Sequence, residues 1–322
     1  DDKTRKLNKF HVWFPGGVVI GGLTAYFMNQ AAIGWRWQMA TMLVPALIYG
    51  AIFLKQKLPK TERVTSGVSY QGMVKASISP LFLFMVMCML ITGGIELGTG
   101  QWMEELLKNV GVSGILVLVF VYGLMAFGRY NAGPVVKKFS PTGVLVLSSV
   151  FTLIGLILIS YASGYLAFGA AAIFAVGICY YWPTMLGFVS EKIPATGAMG
   201  LAIMGGVGML GSSIAQPIIG SIIDEHTITH LVENGVNIPA GTTKAAFLET
   251  LKKAEVGSEK SNMMVEAQAP AARIALRYIA ILPGLMILVF GGLHLSQKKK
   301  EKTGATMAES TSKNNVSEKI NP

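Results

Sequence analysis

A chain of 322 residues that is 52% hydrophobic and only 14% charged is far from a soluble domain, in which about 25% of residues are charged. Its net charge of +10 does not point to nucleic acid: most Lys and Arg sit in the tails and short loops on one side of the apolar runs, the pattern that marks a cytoplasmic face. Its two cysteines, Cys88 and Cys179, both fall inside apolar runs, which excludes a disulfide framework.

The mean hydropathy of +0.52 comes from clustered runs of about 20 residues, enough to cross a ~30 Å hydrocarbon core. They have helical length without a barrel's alternation, and backbone groups in lipid must be satisfied internally, so an all-α polytopic membrane protein is expected. In chain order the eight predicted transmembrane helices are Phe10–Met28, Arg36–Leu54, Pro80–Trp102, Gly114–Phe127, Gly143–Tyr161, Tyr165–Val189, Gly197–Ile223 and Ile274–Leu295. Residues 1–54 form a first unit and 55–79 a polar cytoplasmic linker. A six-helix bundle follows at 80–295. Residues 224–272 make an external loop, containing an amphipathic stretch capped by Thr242 or Thr243. The tail 296–322, rich in Lys, Ser, Thr and Asn, is expected to be disordered. Both termini are then cytoplasmic, in a cytoplasmic or inner membrane.

The first two predicted helices share order, orientation and proline position with the last two: "GGVVIGG" at 16–22 matches "GGVGMLG" at 205–211, and "PALIYGAIFL" at 45–54 matches "PGLMILVFGG" at 283–292. Transporters often carry such parallel repeats. A six-helix repeat implies a parent of twelve helices, of which this chain is expected to hold the fifth to the twelfth.

Four further stretches carry a family resemblance. "GRYNAGPVVKKFSPTGV" at 128–144 resembles the short cytoplasmic loop motif of the major facilitator superfamily, with Gly128, Arg129, Gly133 and Pro134 at its positions. "LPKTER" at 58–63 resembles the segment ending that family's first half, and "YYWPTMLGFVSEKIPATGAMG" at 180–200 its tenth and eleventh helices. "GGIELGTGQWMEELL" at 93–107 resembles the seventh helix of fucose-permease-like members. The resemblance implies a partial major-facilitator fold, helices 5–12 of 12, and transport of a sugar-related solute. The loop motif here lacks the Asp often found in the family's first-half copy.

Glu96 is the deepest carboxylate in a predicted span; Glu104 and Glu105 fall beyond its outer end and Asp224 closes the seventh helix. An acid at a helix centre costs ~2.5–3.5 kcal/mol on insertion scales, so it is retained for a reason. Thr92 and Thr99 lie at i−4 and i+3 from it, giving one polar stripe expected to face a water-filled cavity. The surrounding glycines Gly93, Gly94, Gly98 and Gly100 soften the helix or let a neighbour pack closely; both readings stand. Pro183 cannot donate to the carbonyl of Cys179, so the sixth helix is expected to kink there. The kink carries Tyr180, Tyr181 and Trp182, rings suited to a sugar or, equally, to packing. Tyr122 and Gln216 complete the candidate substrate set. Arg129, one helix face along from Tyr122, is read as a gating residue at the cytoplasmic end. His226 and His230 are four apart, but that spacing alone is a weak metal signal, and the loop is read as solvated with no metal site.

The composite expectation is a secondary active transporter of a small polar solute, a sugar or an organic anion. It would work by alternating access in membrane lipid, with proton coupling through Glu96 as a hypothesis. No cofactor, no nucleotide-binding loop and no catalytic constellation are identified. A non-transporting sensor or degenerate fragment is the alternative.

Overall fold

The computed structural model describes residues 3–57, 67–100, 102, 113–255 and 257–318. Glu104, Glu105 and the "LPKTER" segment lie outside the described residues. Every regular element described is helical. Seven helical stretches are long and apolar enough to cross a membrane, and Gly114–Tyr130 is a shorter apolar helix, which together match the eight predicted spans.

The first span, Lys3–Gln30, is broken into α1 (Lys3–Phe10) and α2 (Trp13–Gln30). The second is likewise split, into α3 (Trp35–Ala40) and α4 (Leu43–Leu54), neither of which buries any residue against the rest of the protein. A short helix, α5 (Tyr70–Ser77), opens on Ser69, whose hydroxyl accepts from the Gly72 amide. In α6 (Pro80–Gly93), proline occupies the first turn, where its missing N–H costs nothing. The helix then widens into a π-turn at Gly94–Gly98.

The remaining spans are α7 (Gly114–Tyr130), α8 (Ala132–Tyr161), α9 (Leu166–Ile178) with α10 (Tyr181–Lys192), α11 (Gly197–Glu233) and α13 (Glu259–Glu318). The core lies among them, around Phe82, Met85, Met125, Phe174, Phe188 and Phe290. Glycine decides how closely α6 meets α11. A Cβ at Gly93 would lie 2.8 Å from the Gly208 Cα, and one at Gly94 3.2 Å from the Gly211 carbonyl. The packing reading of these glycines therefore holds. The matching stripe on the first span differs, since Gly16, Gly17 and Gly21 have nothing against them among the described residues.

Residues 224–272 are mostly helical: α11 runs on to Glu233, α13 starts at Glu259, and between them lies α12 (Lys244–Lys252), with Thr243 as its N-cap. Leu248 and Leu251 pack on Ile228, Leu231 and Met264, and Lys252 reaches Asp224 at 2.8 Å, so burial and an ion pair hold the cap in place. His226 stacks on Tyr278 there. The helix α13 runs as far as Glu318.

Candidate functional site

Helical breaks create the centre of the molecule. In an α-helix the carbonyl of residue i accepts from the amide of residue i+4. Pro183 stands four residues after Cys179 and has no amide hydrogen, so the Cys179 carbonyl is left open, and α9 gives way to α10 at this point. Pro15 stands four residues after His11 in the same relation, at the junction of α1 and α2. Two buried carbonyls are thus without intrahelical donors.

One side chain supplies both. Arg129, 1% exposed, donates through Nε to the Cys179 carbonyl at 2.7 Å and through Nη1 to the His11 carbonyl at 3.2 Å. Its Nη2 pairs with Glu96 Oε1 at 2.7 Å. The planar fork of guanidinium donors suits three acceptors from three spans. A buried ion pair of this kind is tolerated only where geometry and extra hydrogen bonds compensate for lost hydration. The freed carbonyls provide those bonds.

Glu96 is therefore not solitary: Arg129 joins it to the Cys179 and His11 carbonyls.

Beside the pair lies a cavity of about 190 Å³, lined by His11, Phe14, Glu96, Leu97, Arg129, Trp182 and Met209. Glu96 Oε2 is buried and has no hydrogen-bond partner among the described residues. The His11 ring bonds to the Leu7 carbonyl through Nδ1. A carbonyl only accepts, so Nδ1 carries the hydrogen and a neutral ring keeps Nε2 as an acceptor. The Trp182 ring lies against Gly208, leaving no room there for a Cβ.

The other candidates are dispersed. Thr92 donates to the Cys88 carbonyl at 2.9 Å, while the buried Thr99 hydroxyl has no partner among the described residues. The intervening π-turn breaks the spacing on which a common stripe depends. Tyr122 meets Phe14 edge-on at 6.2 Å. Tyr180 donates to the Gly128 carbonyl at 3.0 Å and Tyr181 to Ser149 Oγ at 3.0 Å, so both hydroxyls serve packing contacts. Gln216 donates to the Gly98 carbonyl at 3.3 Å and lines a separate outer cavity with Trp102. Gly128 packs against Cys179, Gly133 against the Arg5 stem, and Pro134 is exposed. Only Glu96, Arg129 and Trp182 of the candidate set share the central cavity. His11, Phe14 and Met209 were not anticipated. A histidine inside an apolar run, with proline four residues later, was the available signal for the first.

The described residues form helices long and apolar enough to cross a membrane, with a buried ion pair among them. The Major Facilitator Superfamily model matches residues 2–224, and the chain belongs to that family. No curated protein and no solved structure matches it. Membership makes it an integral membrane protein and a secondary transporter of some solute.

Proposed function

We propose that the cavity beside Glu96 and Arg129 is the solute site, and that the solute is small, polar and hydroxylated, in the manner of a sugar. The observation that carries this reading is the cavity that Glu96, Arg129 and Trp182 line together, beside a Glu96 Oε2 that has no hydrogen-bond partner among the described residues. A buried acceptor without a donor costs about 1–3 kcal/mol, and a solute hydroxyl removes that cost. The indole offers an apolar platform beside it. An organic anion would meet the carboxylate with like charge, while Arg129 is already engaged by three acceptors. The volume holds about six waters at ~30 Å³ each, which favours a small solute.

In this reading Glu96 also carries the coupling proton. Protonation removes the carboxylate from Arg129 while the two proline-freed carbonyls still hold the guanidinium, so the pair opens without stranding the arginine. The His11 contact joins the first two spans to the rest, and alternating access requires that it break and re-form. The eight spans correspond to helices five to twelve of a twelve-helix arrangement, with the 55–79 segment between bundles.

Uptake into proteoliposomes of the full chain, screened over sugars and organic acids with an imposed pH gradient, tests the reading. Sugar accumulation that follows the gradient, lost in Glu96→Gln with counterflow retained, is expected. Gradient-driven uptake unchanged in that variant refutes the proton role. Uptake of organic acids alone refutes the solute class, and no uptake of either favours a sensor or degenerate carrier.

A further inference from the structure

A second cavity, of about 460 Å³, lies at the lysine-rich face where α8, α10 and α13 converge. Its wall carries Lys137, Lys138, Lys192 and Lys298, all exposed, and none has an ion-pair partner among the described residues. They face one carboxylate, Glu191, whose Oε1 already accepts from the Thr4 amide and hydroxyl at 2.8 Å each. Four like charges around one hollow repel each other, and a monovalent surface acid does not offset them. The arrangement is stable next to an anion carrying several acceptor oxygens.

The backbone adds to the same field. Ser140 leaves the helical conformation and Pro141 restarts it, so a new helix begins in the cavity wall at Thr142, with Ser140 Oγ capping the Gly143 amide at 3.4 Å. Such an end attracts anions. Thr142 Oγ1 is held by His294 Nδ1 at 2.9 Å, which ties α8 to α13 under the site. Phe139 and Leu295 are exposed at the same level, where acyl chains would lie. Basic hollows between spans at this face suit lipid head groups.

We propose that this cavity is a binding site for a phosphate group, presented by an anionic phospholipid, that clamps α8, α10 and α13 together. It is separate from the central cavity, which none of its residues line.

The test uses the purified full chain in detergent, exchanged with labelled phosphatidylglycerol or phosphatidylcholine, and in a parallel arm dialysed against labelled inorganic phosphate. Retention of about one phosphatidylglycerol per chain, well above phosphatidylcholine, supports the site and its lipid source. Phosphate binding without lipid preference supports the site with a free anion as its source. Replacing all four lysines by Gln should weaken binding by roughly a thousandfold, at about five- to sixfold per lysine, while replacement by Arg preserves it. The side chains are exposed, so folding should be unaffected, and far-UV circular dichroism checks this. The proposal is overturned if the two lipids are retained equally and phosphate does not bind, or if the Gln variant binds like the parent.

Discussion

Removing Arg129 alone should do more damage than replacing both partners of the Glu96–Arg129 pair. Arg129→Met strands a carboxylate in the interior, at about 3–5 kcal/mol, and opens the Cys179 and His11 carbonyls at roughly 1 kcal/mol each. Glu96→Gln leaves a guanidinium with neutral acceptors only, a loss of about 3 kcal/mol. The double variant buries no net charge, but it loses the two carbonyl bonds and leaves the introduced amide without a partner, about 3–5 kcal/mol in all. It should therefore be more stable than Arg129→Met and far less destabilised than the roughly 8–10 kcal/mol sum of the single effects. Reversible unfolding in mixed micelles titrated with dodecyl sulfate, followed by far-UV circular dichroism, measures all four proteins on one scale. Additivity of the single effects to within ~0.5 kcal/mol would refute the claim that the 2.7 Å contact is an obligate buried pair.

The proline mechanism makes a background-dependent prediction. Pro183→Ala restores an amide that competes with Arg129 for the Cys179 carbonyl, so it should be neutral or destabilising by up to ~1 kcal/mol in the parent, yet stabilising by about 1–2 kcal/mol with Arg129→Met; one common effect in both backgrounds would remove the explanation. Gly93→Ala forces a methyl into Gly208 and should cost about 1–3 kcal/mol. Gly205→Ala, with nothing within 4 Å among the described residues, should be neutral or gain up to ~1 kcal/mol, and the reverse order in the same unfolding assay would discredit the close approach of α6 and α11.

Much of this molecule was legible along the chain. The span positions follow from apolar run length alone, because hydrocarbon thickness sets one number that every helix must meet. Pro183 announced its break, since a missing amide is a local property of covalent structure. Thr243 announced its cap for the same reason. Glu96 stood out because an acid in lipid must be justified by what surrounds it.

What surrounds it belonged to the tertiary structure. Glu96 and Arg129 are 33 residues apart on separate helices, and periodicity fixes the face of a helix but not its height against a neighbour. Arg129 was therefore read as a gating residue at the cytoplasmic end, and the structure joins it to Glu96 and to the open carbonyls of two other spans. The π-turn at Gly94–Gly98 is a second case, because the register it changes depends on how closely α11 presses on those glycines. Local chemistry along the chain determined which groups would be left wanting a partner. Packing between helices decided which partner each one found, because that depends on relative depth and rotation, quantities that no single helix contains.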